Sequence, residues 1–256
     1  MKNRTILRYP GGKFRVRKTI ADMFEGCQTV ASPFFGGGSV ELELASRGTK
    51  VFASELFLPI AALWQEVKKD PQRIVEAVEP FLGEDRSRFY ALQKELRREL
   101  ESPQPDPFEC AWRAFVINRT SFSGSTLSGG IGDGTRFSRG SVDRILKVDL
   151  SNVEINQGDY WDTLFSSRQS YDGVYADPPY ALENSKLYGN GGDTHESFDH
   201  QLFAERMNQV DAKIVISYND CELVRGLFDG WTFIPVEWAY GMNKSKKSNE
   251  VFIVNF

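Results

Sequence analysis

The stretch 173-GVYADPPY-180 decides the fold and places the candidate site, because an apolar strand leads directly into a carboxylate, two prolines and an aromatic ring. Residues 173–176 predict a buried strand, and Asp177 follows at its carboxyl end. Ligands of open α/β sheets bind beyond the carboxyl ends of the strands. The motif Asp177, Pro178, Pro179 and Tyr180 is therefore predicted to face a cleft, and we assign it the catalytic role.

The composition of this motif suits a planar amino group. The Asp177 carboxylate and the Pro178 carbonyl could accept both hydrogens of an amino nitrogen such as that of adenine, whose lone pair is delocalised into its ring. Held in this way, the nitrogen would become pyramidal and aim its lone pair at an electrophile, while Tyr180 could stack on the base. The alternative is an Asp-Pro-Pro turn that caps a strand, with Tyr180 in the core.

A second glycine-rich unit lies upstream. Residues 27–35 predict a buried strand that ends in Gly36-Gly37-Gly38, and residues 39–48 predict the helix that follows. The loop lacks the full dinucleotide fingerprint and the Gly-Lys-Ser/Thr ending of a P-loop, which argues against a phosphate-bearing cofactor. Glu55 follows the next short strand, where an acidic side chain accepts hydrogen bonds from ribose hydroxyls. The alternative for Glu55 is a surface residue that starts a helix.

The remaining pattern predicts an α/β fold with a doubly wound sheet. Further strands are predicted near residues 50–53, 153–157, 172–176, 212–217, 231–238 and 250–255. Residues 66–118 are charged and helical, and residues 119–140 form a Gly/Ser-rich loop that is too long for a simple connection. We predict one domain from residues 1–65 and 150–256, with an insert at 66–149.

Composition excludes several classes of function. The three cysteines are too far apart for a disulfide framework or zinc site, and two histidines offer little material for a metal cluster, so no metal is predicted. No signal peptide or run of about 18 apolar residues occurs, which predicts a cytoplasmic protein without a membrane span. The net charge of −4 argues against a general polyanion binder, although residues 1–18 contain seven basic and no acidic side chains. A solvated basic N-terminus is the alternative reading of that cluster.

The order of these motifs resembles a known family. Tyr9-Pro10-Gly11-Gly12-Lys13 comes first, Pro33 to Val40 (PFFGGGSV) second, and Asp177-Pro178-Pro179-Tyr180 last. In this order they are similar to the Dam-type, or alpha-group, adenine-specific DNA methyltransferases, over nearly the whole chain. The resemblance implies the S-adenosylmethionine-dependent methyltransferase fold, a seven-stranded, mostly parallel, doubly wound sheet with a helical target-recognition insert. It also implies N6 methylation of an adenine flipped out of double-stranded DNA.

The resemblance assigns the cofactor site. It implies that S-adenosyl-L-methionine contacts both glycine motifs and the strand ends, at Tyr9, Pro10, Gly11, Lys13, Phe34, Gly36, Gly38, Ser39, Glu55, Asp159, Tyr160 and Asp177. No covalent enzyme intermediate is expected, because no cysteine neighbours the catalytic motif and an amino nitrogen can attack the sulfonium methyl directly. Phe198-Asp199-His200 resembles a helix start of the family, with Asp199 as the predicted N-cap and His200 as a structural residue.

The Gly/Ser-rich loop begins with Asn118-Arg119-Thr120-Ser121-Phe122-Ser123-Gly124, which matches the family string Asn-Arg-x-x-aromatic-x-Gly. By that match, Arg119 would contact a phosphate and Phe122 would wedge into the base stack beside the vacated adenine position. The other DNA contacts implied are Arg8, Arg136, Lys244, Lys246 and Lys247. The alternatives are a solvated Arg8 and a Phe122 that anchors the loop to the core.

One position departs from the family. Members that methylate GATC have an arginine where this chain has Leu127, and leucine cannot donate a hydrogen bond to a guanine edge. Arg136 or Arg139 could supply that donor from elsewhere in the loop. The recognition sequence is left open by these residues.

The resemblance also implies a biological setting. We expect a bacterial or phage-encoded monomer, with a cognate restriction endonuclease as a candidate partner. RNA or protein-glutamine N-methylation remains an alternative function, although related proteins of those types usually begin the catalytic string with Asn. A catalytically inactive DNA-binding relative is the alternative from another class.

Overall fold

The computed structural model describes residues 3–83, 86–132, 135–166, 170–181, 198–236 and 250–256, and these form one seven-stranded sheet. The strands are β1 (Thr29–Ser32), β2 (Lys50–Glu55), β3 (Val153–Gln157), β4 (Gly173–Ala176), β5 (Lys213–Asn219), β6 (Thr232–Val236) and β7 (Glu250–Val254). Their order is β3-β2-β1-β4-β5-β7-β6. β7 is antiparallel to both of its neighbours, and the pairs among β1 to β5 are parallel. The predicted seven-stranded, mostly parallel sheet is confirmed.

The predicted strand at 27–35 is longer than the one observed. β1 covers Thr29–Ser32 and ends before Pro33, which has no N–H with which to continue the ladder. The predicted strand at 231–238 likewise corresponds to the shorter β6 within the described residues.

The helices of the described residues lie between and beside these strands. They are α1 (Arg17–Met23), α2 (Ser39–Ser46), α3 (Leu58–Lys69), α4 (Pro71–Val78), α5 (Arg86–Leu100), α6 (Pro107–Thr120), α7 (Arg139–Val142), α8 (His200–Met207) and α9 (Glu222–Leu227). Shorter turns occur at Glu79–Phe81 and Phe122–Gly124, which are 3-10 helices, and at Asp162–Ser166, which is a π-helix. Residues 66–118, which were predicted to be helical, contain α4, α5 and most of α6.

The centre of the sheet positions the site. All four residues of β4 are buried, and a Cβ on Gly173 would lie 2.7 Å from the Phe24 ring, so only glycine fits at this register. β1 pairs with β2 on one side and with β4 on the other. Strands β2 and β3 are therefore added on one side of β1, and β4 and β5 on the opposite side. Such a switch point opens a crevice at the carboxyl ends of its two strands. Asp177 lies directly at that crevice.

The predicted insert shares a helix with the sheet domain. α3 crosses the predicted boundary after residue 65, and its buried Trp64 donates a hydrogen bond from Nε1 to the Gly36 carbonyl at 3.0 Å. α3 also packs along α6, and residues of both helices belong to one apolar core cluster. The division into 1–65, 66–149 and 150–256 therefore stays a prediction, with α3 as the element that would join its parts.

No helix in the described part of the chain has the length and apolarity that a membrane crossing requires. The described residues also contain no group of three or more His, Cys, Asp or Glu side chains arranged to hold a metal ion.

Candidate functional site

A cavity lies at the carboxyl ends of β1, β2 and β4. The sequence-predicted residues on its wall are Tyr9, Lys13, Phe34, Gly36, Gly38, Ser39, Glu55, Asp159, Tyr160, Asp177 and Pro179. Pro10, Gly11, Pro178 and Tyr180 are not on that wall. The structure thus brings together residues from both glycine motifs and the catalytic motif, together with Glu55, Asp159 and Tyr160.

Asp177 is paired with the lysine of the first motif. Lys13 Nζ lies 2.8 Å from Asp177 Oδ1 and 2.9 Å from Oδ2, and the Lys13 side chain is only 3% exposed. Lys13 also donates to the Gly11 carbonyl at 2.8 Å. Burial raises the pKa of Asp177, and the opposing effect of the Lys13 charge and hydrogen bond lowers it. The pair supplies an acceptor whose charge is balanced inside the protein.

Glu55 fixes the glycine loop while facing the cavity. Its Oε2 accepts a hydrogen bond from the Gly36 N–H at 2.8 Å, and its Oε1 accepts one from the Phe57 N–H at 2.9 Å. Burial raises the pKa of Glu55, whereas these two backbone donors lower it. A carboxylate has about four lone-pair sites, so Glu55 retains acceptor capacity toward the cavity.

The glycines of the loop are explained by aromatic neighbours within the chain. Gly36 has φ +49°, and a Cβ there would lie 2.9 Å from Tyr9 Cε1. Gly38 has φ +65°, and a Cβ there would lie 2.8 Å from Phe35 Cε1. Both the left-handed backbone and the aromatic packing require glycine.

One wall of the cavity is aromatic. The Phe34 and Tyr160 rings stack with centroids 5.5 Å apart, and Phe198 meets Phe34 edge-on at 5.8 Å. Arg206 donates from Nη1 to the Tyr160 hydroxyl at 2.8 Å, which fixes the ring. Flat apolar walls of this kind suit a heteroaromatic ligand.

Several residues of the wall were not predicted as site residues. They are Glu41, Leu56, Phe57, Tyr175 and Phe198, among others. Leu56 and Phe57 directly follow Glu55, so their place after a strand end was an available signal. Phe198 is distant in sequence from the other aromatic residues, and only the fold brings it to Phe34.

Tyr180 lies on the other side of Asp177, toward β5. Its ring stacks on that of Tyr218 with centroids 6.0 Å apart, and Lys13 Nζ lies 5.1 Å from its centroid. The next residue is fixed by Asn219, whose Oδ1 accepts from the Ala181 N–H at 2.9 Å and whose Nδ2 donates to the Ala181 carbonyl at 3.1 Å. Both the N–H and the carbonyl of Ala181 are thus hydrogen-bonded to a residue of β5.

His200 and Asp199 behave as structural residues. The Asp199 side chain accepts from the Leu202 N–H at 2.9 Å, which confirms the predicted N-cap of α8. His200 Nδ1 is hydrogen-bonded to the Tyr218 hydroxyl. This contact supports the aromatic stack under Tyr180 and agrees with the structural role predicted for His200.

A second feature is the exposed Phe122. Its side chain is 72% exposed, which contradicts the alternative that it anchors the loop in the core. Asn118 explains the motif around it: Oδ1 accepts from the Arg8 N–H at 3.0 Å, and Nδ2 donates to the carbonyls of Arg8 and Gly124, each at 2.8 Å. Arg8 donates from Nη1 to the Ser121 carbonyl at 3.2 Å. Arg8 and Phe122 are therefore held beside each other.

The arginines nearby occupy different depths. Arg119 is buried, and its Nε and Nη2 both donate to the Arg136 carbonyl, whereas the Arg136 side chain is exposed. Burial lowers the pKa of Arg119 to about 10, with further lowering by the positive charges of Arg144, Arg8 and Arg136. The phosphate contact proposed for Arg119 would need its side chain to reach the surface, which it does not do here.

Two further predictions concern recognition. Leu127 is buried in the core, and its carbonyl accepts a hydrogen bond from Arg97 Nη2 at 2.9 Å, so this position faces away from solvent. Lys244, Lys246 and Lys247 lie outside the described residues.

The chain matches a known family over most of its length. The model of a family described as D12 class N6 adenine-specific DNA methyltransferase matches residues 9–242. A DNA adenine methylase of Haemophilus influenzae is 23% identical over 269 residues, which cover 96% of this chain and 91% of that protein.

Solved structures resemble this chain at low sequence identity. A precorrin 8W decarboxylase from Methanobacterium thermoautotrophicum is 14% identical, with 96% of this chain and 91% of that chain covered and a TM-score of 0.39. A SAM-dependent methyltransferase from Neisseria gonorrhoeae is 14% identical, with 93% of this chain covered and a TM-score of 0.38; this chain spans 65% of its length.

Proposed function

Because the chain belongs to the family of D12 class N6 adenine-specific DNA methyltransferases, we propose residue roles for that reaction. The cavity at β1, β2 and β4 binds S-adenosylmethionine. Asp177 and Pro178 hold the amino group of the target adenine, and the surface around Phe122 binds duplex DNA. The observation that carries this proposal is the position of Asp177, which lies on the cavity wall and is paired with Lys13.

The residues of the cavity fit the methyl donor. The aromatic pair of Phe34 and Tyr160 suits the adenine ring, and the Glu55 carboxylate can accept from ribose hydroxyls. Asp159 and Ser39 add polar groups to the same wall. An apolar cavity with a few convergent polar groups is the usual form of a small-molecule site.

The chemistry requires the protein to orient a weak nucleophile. S-adenosylmethionine supplies a methyl group on a positively charged sulfur; N6 bonds to the methyl carbon, and the electrons of the broken carbon–sulfur bond stay on sulfur. Asp177 and the Pro178 carbonyl accept the two hydrogens of the amino group, so that the lone pair points at the methyl carbon. The extra proton on N6 then leaves to water.

Lys13 keeps Asp177 suited to this task. Only an ionised carboxylate is purely an acceptor, and burial alone would favour the protonated form. The Lys13 ammonium opposes that effect. Tyr180, held against Tyr218, provides a ring on which the flipped adenine can stack, and stacking of a base on an aromatic side chain contributes about 1–3 kcal/mol.

The DNA would lie across Phe122 and the arginines beside it. An exposed aromatic side chain can insert into a base stack, and the unstacking cost of a few kcal/mol is offset by contacts in the distorted duplex. Arg8, which is hydrogen-bonded to the Ser121 carbonyl next to Phe122, and the exposed Arg136 would contact phosphate or base edges. The buried Arg119 side chain donates to the Arg136 carbonyl and so holds the Arg136 backbone in place.

The experiment measures which class of substrate receives the labelled methyl group. The protein is incubated with methyl-labelled S-adenosylmethionine and separate pools of duplex DNA, RNA and protein. Label in DNA, released on digestion as N6-methyldeoxyadenosine, is expected. Label confined to RNA or to protein would contradict the proposal, and label in no pool would favour an inactive DNA-binding relative.

The setting is proposed as well. We infer a monomer in the cytoplasm of a bacterium or a phage-infected cell, with target recognition by residues 66–149. A restriction endonuclease that recognises the same DNA sequence is the candidate partner. Sedimentation of the purified protein tests the monomer, and sequencing of methylated adenines gives the recognition sequence.

A further inference from the structure

The cofactor cavity contains a carboxyl group to which the proposed chemistry gives no role. Glu41 lies in the first turn of α2, is only 2% exposed, and is on the wall of the same cavity as Lys13 and Asp177. An acidic side chain is almost never this buried unless it is paired. Among the described contacts of Glu41 there is no ion pair, so its burial calls for an explanation.

Glu41 is held in place by a hydrogen bond from Ser32. The Ser32 hydroxyl, at the end of β1, donates to Glu41 Oε1 at 2.6 Å inside the protein. The backbone N–H groups of Val40 and Glu41 also favour its charged form, as expected for an acidic residue in the first turn of a helix. The carboxyl group is therefore fixed in the cavity wall.

The titratable groups that line the cavity with Glu41 come from several elements. Asp177 and Tyr175 belong to β4 and its end, Lys13 to the N-terminal segment, and Glu55 to β2. Lys13 is paired with Asp177, and Glu55 accepts from two backbone N–H groups. Burial raises the pKa of Glu41 to about 7, its contacts with Ser32 and the helix backbone lower it, and the charge of Asp177 raises it. Burial and the same carboxylates raise the pKa of Tyr175, which stays neutral.

We propose that Glu41 is a specificity-determining residue of the cofactor site, whose carboxylate recognises the positive charge that S-adenosylmethionine has and S-adenosylhomocysteine lacks. This inference rests on the proposed function. Methyl transfer converts the sulfonium into a neutral thioether, so a fixed negative charge in the wall favours the methyl donor over the product. Lys13 and Asp177 neutralise each other, and Glu55 is assigned to the ribose hydroxyls, which leaves Glu41 as the buried carboxylate on the wall that supplies this preference. The consequence is weaker product inhibition.

The test compares the two ligands in two proteins. Dissociation constants for S-adenosylmethionine and S-adenosylhomocysteine are measured by calorimetry for the wild type and for Glu41→Gln, which keeps an acceptor for Ser32 and removes the charge. We expect the affinity for S-adenosylmethionine to fall roughly tenfold in the variant, and that for S-adenosylhomocysteine to change much less. Glu43→Gln is the matched control on α2, because Glu43 pairs with Arg17 and Arg47 outside the cavity.

A second measurement varies the pH. The preference of the wild type for S-adenosylmethionine over S-adenosylhomocysteine should increase from about pH 6 to about pH 8, as Glu41 ionises, and this increase should be smaller in Glu41→Gln. Equal loss of affinity for both ligands in Glu41→Gln, or a preference that does not change with pH in the wild type, would overturn the inference about Glu41. Failure of the wild type to bind S-adenosylmethionine at all would instead overturn the proposed function.

Discussion

Lys13 Nζ bridges both oxygens of Asp177, at 2.8 and 2.9 Å, across 164 residues of sequence. This ion pair joins the first glycine motif to the catalytic motif. Because we propose that Asp177 accepts a hydrogen bond from the target amino group, the pair would connect the protonation of the site to turnover.

The first prediction concerns pH. Lys13→Met should raise the pKa of Asp177 further, because burial would no longer be opposed by the ammonium charge. Activity depends on the ionised carboxylate and is lost as the pH falls through its pKa, so the acid limb of the kcat profile should move to higher pH. Turnover at neutral pH should fall about tenfold or more. Lys13→Arg, which keeps the charge, should shift the limb less.

The measurement is kcat against pH at saturating S-adenosylmethionine, which separates this effect from weaker binding of the methyl donor. An acid limb at the same pH in Lys13→Met and the wild type would show that the ion pair does not control Asp177.

The second prediction concerns Phe122. Its side chain is 72% exposed, so Phe122→Ala should leave the melting temperature and the affinity for S-adenosylmethionine unchanged. Methylation of a matched duplex should fall, and the defect should shrink on a duplex with a mismatch at the target adenine, which costs less to flip. Leu223→Ala, on the exposed side of α9 at 55% exposure, is the control. Equal defects on both duplexes would contradict the wedge.

The third prediction separates Arg136 from Arg119. Arg136→Ala removes an exposed charge and should reduce the salt dependence of DNA binding by about one unit of slope, without loss of stability. Arg119→Ala removes the buried donors of the Arg136 carbonyl and should destabilise the protein by about 1–3 kcal/mol. Binding across a salt series and denaturant unfolding of both variants test this contrast. An Arg119→Ala protein of wild-type stability would return Arg119 to the role of a surface phosphate contact.

The fourth prediction concerns Asn219, which contacts both polar backbone groups of Ala181. Asn219→Ala should lower kcat about tenfold through a less ordered catalytic motif, while the dissociation constant of S-adenosylmethionine changes less than about twofold. Asn219→Asp keeps the acceptor for the Ala181 N–H and should give an intermediate kcat. A proportional loss of melting temperature and of S-adenosylmethionine binding would indicate a purely structural role.

Much of this architecture could be predicted from the sequence, because it depends on the pattern of apolar residues and on which residues follow the strand ends. The strand at 173–176 is apolar throughout and leads into Asp177, so both the buried strand and its place at a cleft followed from the chain. The N-cap at Asp199 was equally local. Glu55 was placed by its position after a strand end, and the structure puts it on the cavity wall.

The remaining features depend on contacts between distant residues. The burial of Arg119 follows from the path of the loop to Arg136, which no pattern in the sequence specifies. Leu127 was noticed only as a missing donor, whereas the structure places it in the core. Glu41 falls in a helix that the sequence predicts, but only the fold shows that it faces the cofactor cavity.

The most direct test of the account is the yield of N6-methyldeoxyadenosine in duplex DNA with Asp177→Asn. The variant keeps the size of the side chain, but its amide oxygen is a weaker acceptor than the carboxylate and carries no negative charge to pair with Lys13. We predict that the wild type forms N6-methyldeoxyadenosine, and that the variant stays folded and binds S-adenosylmethionine but forms it at least about 100-fold more slowly. A folded Asp177→Asn protein with near-normal turnover would contradict the central claim.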